Sequence, residues 1–125
     1  MFVKLELTRM AQSLAAYSGA RLGVVAQNIA HADSPGYKRR DLPAFADSYD
    51  SGSTMRTTRA GHLGRAEPMQ AGAQVVRGPG SPDGNTVSLE TEMVTAVEVR
   101  QSHDMALAIY RSTSDILRAS LGRRG

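Results

Sequence analysis

Apolar residues return every three to five positions over two stretches of the chain, and that rhythm fails between them. Over about residues 5–33, Leu7, Met10, Leu14, Tyr17, Leu22, Val25, Ile29 and Ala32 fall along one stripe of an α-helix. The spacing predicts a helix that Ser34-Pro35-Gly36 stops, because a residue before proline is pushed out of the α region. Gly19 and Gly23 lie inside the pattern. Each weakens a helix by up to ~1 kcal/mol against Ala, so their expected use is the close approach of a second helix.

A second helix is predicted over about residues 88–121. Asp83-Gly84-Asn85 makes a turn before it, Ser88 can cap it, and Glu90 and Glu92 favour its positive end. Arg118, Arg123 and Arg124 complement the other end, where Gly122 suits the C′ position. This helix carries two apolar stripes: Val94, Val97, Met105, Ala108, Ile109 and Ile116 on one, Leu89, Met93, Leu107, Tyr110, Leu117 and Leu121 on the other. Pairing with a single partner helix needs one narrow stripe, so two stripes predict contacts on more than one side. A lone hairpin would leave the second stripe wet. The expected remedy is burial against other subunits, with the isolated chain partly unfolded and gaining helix on assembly. The surface expected to do this is Leu14, Val25 and Ile29 on the first helix with Val97, Met105, Ile109 and Ile116 on the last.

Between the helices the composition changes. All five prolines and eight of the twelve glycines fall within residues 35–86. Gln74-Val75-Val76-Arg77 can form a strand or hairpin arm, but no period is sustained. The chain therefore divides into an N-terminal helical segment 1–34, a Pro/Gly-rich middle 35–86 that is flexible or folds on assembly, and a C-terminal helical segment 87–125. The fold expected is mainly α, with the long terminal helices paired as a coiled coil across an irregular, partly β or disordered middle.

Composition narrows the function. Among 125 residues there is no Cys, which removes disulfide scaffolds, thiolate zinc sites and thiol nucleophiles. The start, Met1-Phe2-Val3-Lys4-Leu5-Glu6, is not a signal peptide of the secretory type, and no apolar run approaches the ~20 residues of a membrane span. No membrane insertion is expected. The net charge of +3 is spread as +1, +2 and zero over the three segments, acids and bases interleaved. A nucleic-acid binder gathers its cations into one stripe, so nucleic acid is not the expected partner.

The residues at the first helix end carry a resemblance. Asn28-Ile29-Ala30-His31-Ala32-Asp33-Ser34-Pro35-Gly36-Tyr37 resembles the signature of flagellar rod, hook and hook-associated proteins. Lys38-Arg39-Arg40-Asp41 and Asp83-Gly84-Asn85-Thr86-Val87-Ser88-Leu89-Glu90 resemble the FlgB-type proximal rod proteins within that family. Asn28, Ile29, Ala30, Asp33, Ser34, Pro35, Gly36 and Tyr37 match its motif, whereas His31 stands where the family usually has Asn. The resemblance implies a structural subunit of the proximal rod, in the periplasmic part of the basal body, transmitting torque and lining an export channel. It implies export by the flagellar type III apparatus without a cleaved signal. The partners implied are copies of itself, other rod proteins and the adaptor that joins rod to membrane ring.

Apart from any family, Pro35 ends the helix, Gly36 permits a turn with positive φ, and Tyr37 can pack back. Asn28 and Asp33 offer hydrogen bonds to the freed carbonyls or to a neighbouring subunit. No catalytic or metal-binding constellation accompanies them: His31, His62 and His103 are scattered, Gly78-Pro79-Gly80 lacks the pattern of a phosphate loop, and Glu92 and Arg100 read as solvated. No enzyme activity and no cofactor are expected. The rival readings are a small nucleic-acid binder using Lys38-Arg39-Arg40 and a generic helical adaptor that binds a partner helix without forming a filament.

Overall fold

A computed structural model describes residues 2–54 and 72–122, so His62, Pro68, Arg123 and Arg124 lie outside the described residues. In chain order it contains helix α1 (Phe2–Ala30), strand β1 (Arg40–Asp41), helix α2 (Phe45–Thr54), strand β2 (Gln74–Val75) and helix α3 (Leu89–Gly122). The fold is mainly α, as the two periodic stretches predict. Ser88 caps α3 as expected, its hydroxyl accepting from Thr91 N–H at 3.5 Å while its carbonyl takes Glu92 N–H at 2.9 Å.

The two long helices pack antiparallel. Asn28, near the end of α1, meets Glu92 at the start of α3, and two turns earlier Arg21 feels the charge of Glu98. The seam between them follows a heptad: Ala11, Ser18 and Val25 are buried on α1, and Glu92, Val99, Ala106 and Thr113 on α3, each seven residues from the next. Asn28 and Thr95 fill intermediate positions. Small side chains suit the line of closest approach, because two helices alone cover only a narrow band. The buried threonines satisfy their hydroxyls on their own helix, Thr95 donating to Thr91 O and Thr113 to Ile109 O, both at 2.8 Å.

This seam corrects several expectations. Large apolar residues of the predicted stripes, Leu7, Met10 and Leu22 on α1 and Met93, Val94 and Val97 on α3, remain exposed on the flanks and outer faces. Val25 is 1% exposed and belongs to the intramolecular seam, so it offers nothing to a neighbouring molecule. Gly19 and Gly23 do not admit α3: nothing lies within 4 Å of a Cβ built at either position. They face outward among Ala16, Ala20, Ala26 and Ala30, all exposed. Gly122 is the last residue of α3 and does not adopt the left-handed conformation of a C′ glycine. Arg118 precedes the last turn of α3, which holds no basic residue.

The described parts of the middle segment dock on this pair within one chain. β1 and β2 form a short antiparallel ribbon, Arg40 opposite Val75 and Asp41 opposite Gln74, extended by Val76 N–H to Arg39 O at 2.9 Å. Here Gln74–Val75 makes the arm its composition allows. α2 leans on α1 where the Phe45 ring lies 5.5 Å from Tyr17, and within α2 the Phe45 ring lies 5.6 Å from Tyr49. Among the described residues no helix is long and apolar enough to cross a membrane.

Candidate functional site: a polar clasp at the helix junction

The motif segment and the turn before α3 meet where the two helices join. α1 ends at Ala30, earlier than the proline alone requires, and residues 31–33 tighten into turns, with Ala32 N–H reaching Ile29 O at 3.2 Å. Ser34-Pro35-Gly36-Tyr37 then makes a β-turn closed by Tyr37 N–H to Ser34 O at 3.3 Å. Pro at the second place and Gly36 at φ 74° in the third are what a type II turn asks for. The second turn, Ser81-Pro82-Asp83-Gly84, closes by Gly84 N–H to Ser81 O at 2.8 Å, and Gly84 takes φ 85°.

The two turns clasp each other. Gly36 N–H donates to Asp83 O at 3.0 Å, and a Cβ on Gly84 would stand 3.5 Å from the Gly36 Cα. The positive φ of both residues is what calls for glycine at these two places. Behind the clasp, the Asn85 amide donates to the carbonyls of His31, Ala32 and Ser34 at 2.9, 2.8 and 2.9 Å. A helix end leaves such carbonyls without intrahelical partners, and a side chain fifty residues away supplies the donors. Asp33, one of the residues expected to do this, is exposed. Asn85 Oδ1 also accepts Val87 N–H at 2.8 Å, so one buried side chain ties the end of α1 to the approach of α3.

Asn28 is the second buried asparagine. Its amide donates to Arg40 O at 2.7 Å and to Glu92 Oε2 at 3.3 Å. Its Oδ1 accepts Arg40 N–H at 3.1 Å and the Tyr37 hydroxyl at 3.4 Å. Glu92, expected to be solvated, is fully buried and paired with the Arg39 guanidinium. The reason lies in where α3 starts: Glu92 falls on its seam-facing side, opposite Asn28, and Arg39 arrives from the neighbouring strand. Arg39 also contacts Asp41, which receives both Nε and Nη2 of Arg21 at 3.0 and 3.1 Å. His31, at the position where the family usually has Asn, stacks on Tyr37 with ring centroids 4.5 Å apart.

These charges act on one another. The bond to Asp41 is the main reason the Arg21 pKa is raised. For Asp41, burial pushes the pKa up, but the Arg21 hydrogen bonds, the Leu42 N–H and the charges of Arg21 and Arg39 outweigh it and hold the carboxyl below its ordinary value. A carboxyl depressed in the folded state stabilises fully above its unfolded pKa, and that stabilisation disappears as pH falls through the folded value. Urea midpoints measured from about pH 5 down to about pH 3 should therefore fall, and Asp41→Asn should flatten that fall. An unchanged acid slope in the Asn variant would remove Asp41 from this role.

The other motif residues act through backbone and packing. Ile29 is half-buried, Ala30 is exposed at the last helical position, and Ser34 contributes its carbonyl to Asn85. Of the residues predicted for assembly, Leu14 and Ile109 are half-buried, whereas Val97, Met105 and Ile116 are 69%, 55% and 47% exposed. Val94 joins this outward stripe of α3 at 59%. The clasp therefore orders the helix pair, and the pair displays an apolar face.

No family model matches the sequence. Curated relatives do. The flagellar basal body rod protein FlgB of Cereibacter sphaeroides is 36% identical over 107 residues, which spans 82% of this chain and 84% of that protein. A second sequence of that name from the species matches equally, and one from another strain is 35% identical over the same length. The chain belongs to the FlgB family of flagellar basal body rod proteins. It is a structural subunit of the flagellar rod, as the motif implies, and neither rival reading has support. In this rod protein the family motif forms the clasp, and its Asn, Gly and Tyr each hold a defined contact.

Proposed function

We propose that this rod protein is a self-assembling subunit of the proximal rod, and that sister molecules or other rod proteins cover the outer face of its α3. The observation that carries the reading is the outward stripe Val94, Val97, Met105 and Ile116, each near or above half exposure on a helix whose opposite side is already occupied. Scattered apolar residues are ordinary on a surface, but four large ones on the outward side of one helix mark an interaction face. Leu14, Ile29 and Ile109, half-buried beside the seam, would close further when neighbours arrive. Residues 1–34 and 87–125 would then make the axial core.

The same reading makes the chain non-enzymatic and without a cofactor. It places the chain in the periplasmic rod, exported by the type III apparatus without a cleaved signal, and touching the adaptor that joins rod to ring. Torque would pass through the packed helices around the export channel.

Val97→Asp tests the reading. It places a charge at the most exposed point of the stripe, where the isolated chain tolerates it and an interface does not. The expected result is loss of concentration-dependent oligomers in sedimentation velocity, with the helix content that the native chain shows when dilute. Val97 is a cleaner site than Ile109, whose half-burial lets the same change disturb the helix pair. Oligomers of undiminished size in the Val97→Asp protein would overturn the proposal.

A further inference from the structure

Residues 37–43 run back along α1 as a strap. Arg40 lies on Asn28, Asp41 on Arg21, and Pro43 O accepts the Tyr17 hydroxyl at 2.6 Å. The other edge holds the approach to α3, with Tyr37 O accepting Thr86 N–H at 3.0 Å, Arg39 N–H donating to Thr86 Oγ1 at 2.7 Å, and Lys38 Nζ donating to Gly84 O at 2.8 Å.

The strap also satisfies the seam itself. Asn28 and Glu92 are both fully buried where the strap covers the junction of the two helices. Apart from Glu92, every hydrogen-bond partner given above for Asn28 comes from the strap, and the cation facing Glu92 is Arg39 of the strap. Lift the strap away and the carboxylate and the amide lose every other partner named here and keep only each other. A buried charge stripped of its partner is far costlier than the same pair replaced by apolar groups. Such a seam opens to water rather than staying closed.

We infer that residues 37–43 are a lock on the helix pair: the strap and the first turns of α3 open and close as one cooperative unit. This goes beyond the assembly reading and is independent of it, since every contact lies within a single chain. A peripheral loop would open locally and leave the helices paired. A lock cannot, so whatever draws the strap and the adjoining α2 off α1 also frees the start of α3.

Hydrogen exchange on the full chain tests the lock. In the native protein the amides of residues 39–42 and of 92–96 should open with the same free energy and the same urea dependence. Arg39→Met should speed both groups together, by roughly 100-fold, while Arg40→Met, whose side chain is exposed, should change either by less than about threefold. Arg39→Met with Glu92→Met removes the buried charge pair altogether. That double variant should return residues 92–96 to within about tenfold of the native rate while residues 39–42 stay fast. Acceleration confined to 39–42 in the single variant would overturn the inference, as would a double variant whose α3 exchanges as fast as the single one. If Arg39→Met proves too unstable to fold, recovery of the helical signal by the double variant supports the lock, and failure to recover refutes it.

Discussion

Asn85→Ala should destabilise the chain by about 3 kcal/mol in urea unfolding followed by circular dichroism, more than any other truncation in the turn before α3. The native amide sits within 2.9 Å of three carbonyls, those of His31, Ala32 and Ser34. An amide has two N–H groups, so at least one is shared. Alanine leaves these acceptors without a donor at a part-buried helix end, and Val87 N–H also loses the Asn85 Oδ1 it donates to. Asn85→Asp separates the two roles. A carboxylate retains the acceptor for Val87 but turns acceptor oxygens toward three carbonyl oxygens, so it should fall at least as far as alanine. An Asp variant as stable as the native chain would show that donation to the end of α1 is not what Asn85 supplies.

The helices, the Ser88 cap and the turns were legible because each depends on neighbours in sequence. Ser88 three residues before Thr91, Pro35 before Gly36, and the periodic apolar positions are local signals. The seam was not, for a physical reason. Apolar periodicity marks the residues that prefer burial, yet a two-helix pair fully covers only its line of closest approach, which small and polar side chains occupy here. Val97 and Met105, expected to face a neighbour, lie exposed because they exceed what one partner helix can cover. Val25, on the equivalent stripe of α1, falls on the approach line and is already used.

The polar clasp was hidden for a different reason. Asn85 and Asn28 are each ordinary in sequence, one in a turn and the other within a motif. Their work is defined by partners brought from more than fifty residues away in one case and from a strand in the other. Glu92 illustrates the same limit: an acid in the first turn of a helix is usually solvated and favours the dipole, and only the arrival of Arg39 makes its burial tolerable. A heptad count could have found it. Stepping back by sevens from Thr113 through Ala106 and Val99 ends on Glu92, which places a carboxylate on the seam and demands a cation nearby.

Asn28→Asp should then behave unlike any other variant of the clasp. At about pH 7 it should cost roughly 3–5 kcal/mol, because it removes the donor to Arg40 O and sets a second carboxylate against Glu92, in place of an amide nitrogen 3.3 Å away. Burial and a like charge both favour the protonated form, so the introduced carboxyl titrates in the folded state above its unfolded value of about 3.9. A group raised in this way stabilises below its unfolded pKa and loses that contribution as pH rises through the folded one. Once protonated it has an O–H to donate and an oxygen to accept, which reproduces half of the native amide. The difference in unfolding free energy between this variant and the native chain should therefore narrow between about pH 7 and about pH 4.5, while Asn28→Ala keeps a constant deficit. Over the acid part of that range the native chain moves the other way, as Asp41 begins to lose its depressed-carboxyl contribution. A gap that is equal at both pH values would mean that the carboxylate at position 28 has escaped to solvent, and with it the argument that Asn28 is held in the seam by its neighbours.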